Sequence, residues 1–400
     1  MTDFGLLEPG AHRVAGLADD AAFVTAMARV ETAWFRALTE QGAATPEQND
    51  AVAAAAGTWA PDLSELATLA ESGGNPVLPF VRGLRDVVGE QDPAAAVLLH
   101  RGLTSQDVLD TALMLLAADT LERIHEDLTS VVRGLGRLAE EHHGSVMAGR
   151  TLTQHATPIT FGLKVAQWLA GVLDALERLE HTDLPVQCGG AAGTLALAGE
   201  LVPKPLAAAS TFARELGLSW PGMPWHTRRS PVTAVGDALV AVCDALGVIA
   251  SDVAQMSRPE IAELAEGGTG GASSTMPRKR NPVLSVLVRS ASLQAPMLGA
   301  QLHLAAGSAV DERPDGAWHS EWPALRRLFV LAATAAAQSA DLVRDLRVDA
   351  EAMRRRADAA SDALLAERGS GTEPASYLGS ADAFVDRALS RLAAWEQGRG

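Results

Sequence analysis

The sequence has few aromatic residues and little positive charge. Aromatic residues make up 4% of the 400 positions, with a single tyrosine, and no stripe of alternating basic and aromatic residues is present. The formal net charge is −16. Because a nucleic-acid surface requires clustered positive charge, we expect no nucleic-acid partner.

Cysteine is also scarce, and the two residues present are far apart. Cys188 and Cys243 occur outside any CxxC spacing, which excludes a disulfide framework and a cysteine zinc site. The adjacent His142 and His143 lack a third ligand at helical spacing, and there is no HExxH motif. We therefore expect two buried thiols and no metal site.

Long uninterrupted apolar runs are missing, although hydrophobic residues make up 48% of the chain. Charged residues or glycines interrupt each run before it reaches the ~18 to 20 residues of a membrane span. The N-terminal segment MTDFGLLEPGAHRVAGLADD lacks the basic stretch and apolar core of a secretory signal. These absences predict a soluble, cytoplasmic protein without a membrane partner.

What the chain does contain is the apolar period of long helices. Apolar residues recur at alternating spacings of three and four, which is typical of a bundle seam. The clearest set is Leu121, Ile124, Leu128, Val131, Leu135 and Leu138. Comparable segments cover roughly 159–181, 231–265, 283–309 and 322–346. We therefore predict an all-α fold with a central long-helix bundle and, because such alanine-rich helices often pack against another subunit, a homo-oligomer.

Breaks in this pattern predict three helical domains. Before residue 98 the helices are shorter and are interrupted at Pro61, in ESGGNPVLP and in EQDP. After Val348 a charged helix is followed by ERGSGTEPASYLGS, a loop that separates a final short helix. The predicted domains are 1–97, 98–346 and 347–400, and the central one contains the long helices.

The segment HRGLTSQDVLD, residues 100–110, opens the first long helix. Thr104 and Asp107 fit the S/T-x-x-D/E capping pattern, and a plain helix cap explains them. The exposed N–H groups of a helix start, together with the hydroxyls of Thr104 and Ser105, also suit a carboxylate. The sequence leaves both interpretations open.

The segment GRTLTQHATPITFG, residues 149–162, gathers polar side chains ahead of the next helix. Arg150, Thr151, Gln154 and His155 come before Pro158, which suits the first turn of a helix. An ordinary polar loop accounts for this cluster. A set of substrate contacts is the alternative.

The segment DERPDGAWHSEW, residues 311–322, lies at a break between two long helices. A kinked and capped turn explains its composition. The alternative is that Arg313 binds an anionic substrate through two parallel hydrogen bonds.

The segment GGTGGASSTMPRKRNP, residues 267–282, combines glycines, serines and three successive basic residues. It lacks the GxxxxGK[ST] pattern, and the sequence predicts no strand before it, which argues against a phosphate-binding nucleotide loop. A mobile charged linker is the plain alternative. The order of residues favours a loop that closes over a ligand, with a serine as proton carrier, Lys279 and Asn281 as donors, and Pro282 at the next helix start.

The same segment resembles the signature loop of the fumarase/aspartase superfamily, G-S-S-x-M-P-x-K-x-N-P. TSQDVLDTA and GRTLTQHATPITFG resemble the other two signature regions of that superfamily and occur in the same order. HRGLTSQDVLDTAL, GGAAGTLA, PWHTRR and DERPDGAWHSEW are most similar to the bacterial 3-carboxy-cis,cis-muconate cycloisomerases. The resemblance implies a homotetramer around a helical bundle, with each active site built from three subunits, and no cofactor.

The resemblance also implies roles for individual residues. Ser273 matches the serine that exchanges the carbon-bound proton, and Lys279 and Asn281 match the groups that stabilise the aci-carboxylate intermediate. The implied substrate is a small anionic polycarboxylate. The implied substrate-binding residues are Thr104, Ser105, Arg150, Thr151, Gln154, Ser274, Met276, Arg280 and Arg313.

Departures from the superfamily pattern narrow the expected chemistry. Fumarase-like and adenylosuccinate-lyase-like members carry a proton-handling His and Glu where this chain has Leu152 and Val286. A leaving carboxylate, with a pKa near ~4, needs no such pair. Ala272 replaces a glycine of the signature, and Arg101 stands where the cycloisomerases commonly have tryptophan.

Three functions fit this pattern, in the following order. The first is lactonisation of 3-carboxy-cis,cis-muconate to 4-carboxymuconolactone in protocatechuate degradation. The second is a related lyase that releases fumarate from a succinyl adduct. The third is a non-catalytic protein on the same fold, which the intact Ser273, Lys279 and Asn281 disfavour.

Overall fold

The chain folds mostly into α-helices. The computed structural model describes residues 5–398, and short 3-10 turns occupy Ala11–Val14 and Pro374–Ser376. Within these residues the helices are α1 (Asp20–Glu40), α2 (Pro46–Thr58), α3 (Leu63–Gly73), α4 (Val77–Gln91), α5 (Pro93–Leu98), α6 (Ser105–Glu141), α7 (Phe161–Glu180), α8 (Ala196–Leu201), α9 (Pro205–Leu216), α10 (Ser230–Met256), α11 (Val283–Ala306), α12 (Gly316–Arg344), α13 (Ala350–Ala359), α14 (Ser361–Leu364) and α15 (Ala381–Gln397). The predicted fold class is confirmed.

Helices α6, α7, α10, α11 and α12 form the long-helix bundle. The seam predicted on α6 is buried at Ile124, Leu128 and Leu135. Helices α10 and α11 approach closely because α10 has small residues at the contact: a Cβ at Gly247 would lie 2.4 Å from Cβ of Ser292. The bundle therefore combines branched apolar residues with glycine contacts.

Two predicted helix ends are wrong. Helix α10 ends at Met256 rather than near 265, because Ser257–Arg258 are followed by Pro259, which disfavours helix at the preceding residue. Helix α12 begins at Gly316 rather than near 322. Pro323 therefore lies inside the helix, where its ring removes one backbone hydrogen bond.

Four short strands form two antiparallel pairs. Strand β1 (Val146–Thr151) pairs with β2 (Gln154–Thr160), and β3 (Leu264–Glu266) pairs with β4 (Leu346–Val348). The expectation that Pro158 starts a helix is wrong, because it lies in β2 and α7 begins at Phe161 with Thr160 as its N-cap. Leu152 and Thr153 form the two-residue hairpin turn at φ values of 49° and 70°.

Helices α10 and α11 are long and apolar enough to cross a membrane by length and composition alone. In the most apolar stretch of α10, 56% of residues are buried within the chain, against 28% in α11. Leu293, Met297 and Leu304 expose 70%, 72% and 73% of their surface. Their spacings of four and seven place them on one side of α11. This chain alone leaves that apolar face uncovered.

The predicted boundaries, after residues 97 and 346, fall inside secondary-structure elements, since α5 ends at Leu98 and β4 covers Leu346–Val348. Helix α5 ends at Leu98, before the segment that leads into α6, and β4 lies between α12 and the C-terminal helices. The division into three domains stays a prediction.

Both cysteines are buried, as predicted. Burial raises the pKa of the Cys243 thiol to about 12, so this side chain is an inert part of the core.

Candidate active site

The start of α6 is tied to the glycine-rich segment 189–193 by one buried carboxylate. Asp107 accepts hydrogen bonds from the N–H of Thr104, at 2.9 Å, as the capping pattern predicts. It also accepts from the N–H groups of Gly189 and Gly190, at 3.0 and 2.8 Å. Nε2 of His226 lies 2.8 Å from the same carboxylate. Asp107 therefore does more than cap α6, because it joins three segments of the chain.

Arg313 adds hydrogen bonds between the same two segments, the start of α6 and residues 189–193. One guanidinium nitrogen of Arg313 donates both to the hydroxyl oxygen of Thr104 and to the carbonyl oxygen of Ala191, the latter at 3.0 Å. Because the oxygen of Thr104 accepts this bond, the hydroxyl proton of Thr104 is free to donate elsewhere. Ser105, the first residue of α6, is half-buried beside it.

A buried ion-pair cluster lies next to these contacts, one turn further along α6. The guanidinium of Arg229 contacts the carboxylates of Asp110, at 2.7 Å, and Glu321, at 2.6 Å. Burial opposes the charge on Arg229, but the two carboxylates outweigh burial and raise its pKa above the ordinary value. Burial raises the pKa of Glu321 despite that contact. The indole nitrogen of Trp318 donates to Asp110, which joins α12 to α6.

The second predicted segment lies on the β1–β2 hairpin. Arg150 makes two hydrogen bonds, of 2.9 and 2.7 Å, to the buried carboxylate of Glu263. Thr151, Gln154 and His155 are exposed at the tip. The guanidinium of Arg150 is therefore engaged within the chain, and its predicted substrate contact stays a prediction.

The signature loop is closed at its base by Gly271 and Asn281. The backbone N–H of Asn281 donates to the carbonyl of Gly271 at 2.8 Å, and its side-chain amide donates to the same oxygen at 3.2 Å. Gly271 has φ +80°, and a Cβ there would lie 2.2 Å from the carbonyl oxygen of Asn281. Only glycine fits this closure.

Within the loop, the hydroxyl oxygen of Ser273 accepts two backbone hydrogen bonds. The donors are the N–H groups of Thr275, at 3.3 Å, and Met276, at 3.1 Å. Donors aimed at an oxygen stabilise its anionic form. The remaining predicted loop residues, Ser274, Met276, Lys279 and Arg280, are exposed.

Glu266 anchors the loop to the start of α11. Its carboxylate accepts from the N–H groups of Leu284 and Ser285, at 3.1 and 2.8 Å, and from the hydroxyl of Ser285 at 2.7 Å. A carboxylate at a helix N-terminus is favoured by the helix dipole. The loop 267–282 therefore leaves and rejoins the fold at fixed points.

The candidate site residues fall into two groups at opposite ends of the bundle. Thr104, Ser105 and Arg313 lie at the start of α6, and the hairpin follows its end. Helix α6 has 37 residues, so at 1.5 Å per residue about 55 Å separate Thr104 from the hairpin. The pair Arg150–Glu263 places the hairpin and the base of the signature loop at the same end. One chain does not bring the two groups together.

Several residues of this region were not predicted from the sequence. The sequence pattern predicts only a cap at Asp107 and indicates no role for His226, Glu263 or Glu266. The sequence does contain an indication of these contacts: Asp107 and Asp110 stand among apolar residues in the first turns of α6. The partners of Asp107, however, are distant in the sequence: Gly189 lies 82 positions away and His226 lies 119 positions away. The sequence pattern does not identify them.

Comparisons with known proteins agree with this geometry. A family profile described as Lyase matches residues 17–296. The nitrosuccinate lyase of Streptomyces davaonensis is 42% identical over 379 residues, covering 92% of this chain and 80% of that protein. The 3-carboxy-cis,cis-muconate cycloisomerase of Bradyrhizobium diazoefficiens is 40% identical over 311 residues, covering 76% and 68%.

A solved structure extends the likeness to the whole fold. The 3-carboxy-cis,cis-muconate lactonizing enzyme from Pseudomonas putida matches with a TM-score of 0.88 and 29% identity, over 98% of this chain and 100% of that one. The fold is that of soluble enzymes, and the predicted resemblance is confirmed. The profile, the relatives and the shared fold together show that this chain is an enzyme of the lyase family within the fumarase/aspartase superfamily.

Proposed function

We propose that this enzyme eliminates nitrite from 2-nitrosuccinate to give fumarate. The likeness to a nitrosuccinate lyase covers 92% of this chain, against 76% for the cycloisomerase of B. diazoefficiens. In the proposed reaction a base removes a proton from the carbon next to one carboxylate, and the C–N bond on the adjacent carbon breaks. Nitrite leaves with the electron pair of that bond, and the base keeps the proton.

The observation that carries the proposal is the apolar character of two positions. Leu152 at the hairpin tip is 96% exposed, and Val286 in the first turns of α11 is 55% exposed. Superfamily members that protonate their leaving group have His and Glu there. Nitrite, like a carboxylate with a pKa near ~4, is a weak base that leaves without a proton. The site therefore suits a leaving group that departs as a stable anion.

Ser273 is the proposed base. The N–H groups of Thr275 and Met276 donate to its oxygen, and Arg278, Lys279 and Arg280 follow it closely. Both features lower the free energy of the alkoxide, which a serine needs in order to take a proton from carbon. Serine then returns the proton to solvent before the next cycle.

Lys279 and Asn281 are proposed to bind the carboxylate next to the deprotonated carbon. Loss of the proton moves charge onto that carboxylate, so donors aimed at it act mainly in the transition state. The hydroxyls of Thr104 and Ser105, at the positive end of α6, are proposed to bind the second carboxylate, with Thr151, Gln154, Ser274, Met276 and Arg280 around the substrate. Arg313 and Arg150 are proposed to act by fixing Thr104 and the hairpin.

A complete site is proposed to require several subunits. The start of α6 and the hairpin are about 55 Å apart in one chain. If neighbouring subunits pack with antiparallel bundles, the α6 start of one meets the hairpin and signature loop of others. The exposed apolar face of α11 supplies a surface for this packing. We therefore propose a homotetramer with active sites shared between subunits. We also propose that the enzyme acts in the cytoplasm.

Lactonisation of 3-carboxy-cis,cis-muconate is the second candidate. It is favoured by the likeness to the P. putida enzyme, which covers all of that chain at a TM-score of 0.88. In that reaction a carboxylate of the substrate adds to the double bond and Ser273 supplies the proton, so a separate acid is again unnecessary. Arg101, where cycloisomerases commonly have tryptophan, argues against it.

Two parallel assays distinguish these functions. Purified enzyme is incubated with 2-nitrosuccinate while fumarate is followed by absorbance and nitrite by a colour reaction. In the second assay it is incubated with 3-carboxy-cis,cis-muconate, and loss of the diene absorbance is followed. We expect fumarate and nitrite in equal amounts from the first assay and slow or no reaction in the second.

The variant Ser273→Ala tests whether Ser273 transfers the proton, as a base in the first assay and as an acid in the second. Removal of a general base costs about 10²- to 10⁴-fold in rate. Equal rates for the variant and the parent would exclude Ser273 as the base. Rapid loss of the diene without nitrite release would instead establish the cycloisomerase.

A further inference from the structure

The backbone around Arg101 is held rigidly in an unusual conformation. His100 has φ 64° and Gly102 has φ 92°. The indole nitrogen of Trp34 donates to the carbonyl oxygen of Arg101 at 2.8 Å, and Nδ1 of His100 lies 2.6 Å from the buried carboxylate of Glu31. Non-glycine residues adopt positive φ only where surrounding contacts require it. The position of the Arg101 backbone is therefore strongly constrained.

The side chain of Arg101, in contrast, is exposed and unpaired. Among residues 5–398, no hydrogen bond or ion pair joins its guanidinium to another residue. The guanidinium groups of Arg150, Arg229 and Arg313 are all bound within the chain. The fold thus fixes the backbone of Arg101 and leaves its guanidinium free to bind a ligand.

Arg101 lies beside the candidate carboxylate site. It comes three positions before Thr104, which limits the separation of the two Cα atoms to about 11 Å. The chain has a net charge of −16, so a free guanidinium at this place is a local positive centre. Arg313, the other candidate for anion binding near this place, has one nitrogen committed to Thr104 and Ala191.

We propose that Arg101 binds the two oxygens of the departing nitro group and so determines the leaving-group specificity of the enzyme. This inference rests on the proposed function. A nitro group is planar with two oxygens, and a guanidinium can pair with both at once. As the C–N bond breaks, the electron pair moves onto the nitro group and nitrite carries a full negative charge. A cation at that place therefore stabilises the transition state more than the bound substrate.

The tryptophan of the cycloisomerases fits the same reasoning. When a lactone opens, the departing carboxylate stays attached to the product and needs no separate binding group. Nitrite is released as a second product, and the protein must hold it until the bond is broken. The exchange of tryptophan for Arg101 thus matches the change from a tethered to an untethered leaving group.

The first test compares Arg101→Gln, Arg101→Lys and Arg101→Trp with the parent enzyme. Loss of a charge-assisted contact predicts a fall of about 10- to 100-fold in kcat for nitrite release with Arg101→Gln and Arg101→Trp. Arg101→Lys should recover part of the rate, because a single ammonium group pairs less well with two oxygens. Arg387→Gln, at an exposed arginine of α15, removes the same charge elsewhere and should leave kcat unchanged.

The second test measures binding and is independent of turnover. Ser273→Ala and Ser273→Ala/Arg101→Gln proteins are titrated calorimetrically with 2-nitrosuccinate and with succinate, which lacks the nitro group. We expect the second substitution to weaken binding of 2-nitrosuccinate several-fold and to leave succinate binding nearly unchanged. Circular dichroism and gel filtration establish that each variant is folded and assembled.

The two tests separate the failure of this inference from the failure of the proposed function. If the parent releases no nitrite but Ser273→Ala binds 2-nitrosuccinate through Arg101, the proposed function fails and the role of Arg101 stands. If Arg101→Gln changes neither kcat nor the selective binding of 2-nitrosuccinate, the role of Arg101 is overturned. If the parent releases no nitrite and Ser273→Ala does not bind 2-nitrosuccinate, both are overturned.

Discussion

Nε2 of His226 lies 2.8 Å from the carboxylate of Asp107, and both side chains are buried. The same carboxylate accepts the N–H groups of Thr104, Gly189 and Gly190. Four donors from three separate segments therefore converge on one acidic group. This arrangement fixes the start of α6 against the segment that supplies the carbonyl partner of Arg313.

Asp107→Asn should weaken both stability and catalysis. The amide replaces one acceptor oxygen by a donor that faces buried N–H groups, so we expect a loss of about 2 to 4 kcal/mol in the free energy of unfolding. Misplacement of Thr104 should lower kcat/KM by about 10- to 100-fold. Urea denaturation and steady-state kinetics measure the two effects.

Asp127→Asn is the matched control on the same helix. Its carboxylate is partly buried and pairs with Arg123 one turn earlier on the same helix, so the expected loss of stability is about 1 kcal/mol or less. Equal effects of the two substitutions would contradict the special role of Asp107.

The contact between His100 and Glu31 should make stability depend on pH. Burial disfavours the imidazolium of His100, but the carboxylate of Glu31 outweighs burial and raises the pKa of His100 above its ordinary value of 6.5. A raised pKa in the folded state gives stability that is fully present below pH 6.5 and is lost as the pH rises through the folded value.

His100→Asn tests this dependence, because asparagine tolerates the positive φ of this position. The difference in unfolding free energy between the parent and His100→Asn should be largest near pH 6 and should shrink at alkaline pH. Urea denaturation across that range provides the measurement. A difference that grows with pH would show the opposite sign of coupling.

Gly271→Ala should impair the signature loop without unfolding the protein. The new Cβ would lie 2.2 Å from the carbonyl oxygen of Asn281, at a φ of +80° that only glycine adopts readily. Strain of this kind costs about 1 to 3 kcal/mol, which predicts a fall in kcat/KM of roughly tenfold or more. Thermal unfolding should change little because the loop is exposed.

Gly268→Ala is the comparison for this substitution. A Cβ there has no heavy atom within 4 Å, so its effect on kcat/KM should be far smaller. If Gly268→Ala and Gly271→Ala behave alike, closure at Asn281 is not the reason for the loss.

Glutamate substitutions on the apolar face of α11 should break the assembly. Leu293 and Met297 are 70% and 72% exposed in the single chain, and in the proposed tetramer they would be buried. We expect Leu293→Glu/Met297→Glu to dissociate the oligomer and to lower activity by at least about 100-fold, because the shared site is then incomplete. Light scattering after gel filtration and the nitrite assay measure these outcomes.

Leu206→Glu places the same charge on an exposed leucine of α9, outside the bundle. It should retain both the oligomer and the activity. A fully active monomer from the double variant would refute the shared site.

The bundle was predictable because local periodicity determines a long helix. The spacing of Leu121 to Leu138 places the apolar residues on one side of α6 whatever the rest of the chain does. The hairpin at 146–160 was not predictable in the same way. Its turn depends on positive φ at Leu152 and Thr153, residues that have no strong preference for such a turn.

The sequence by itself determined the helical class and the order of the three signature segments, and it made Ser273, Lys279 and Asn281 the candidate residues, since these depend on residue type and spacing along the chain. The tertiary structure decided which arginines are available. Arg150, Arg229 and Arg313 are bound by carboxylates, a hydroxyl or a carbonyl from distant segments, and Arg101 is not. Whether a charge is paired or free depends on contacts across the fold, and spacing along the sequence carries no record of them.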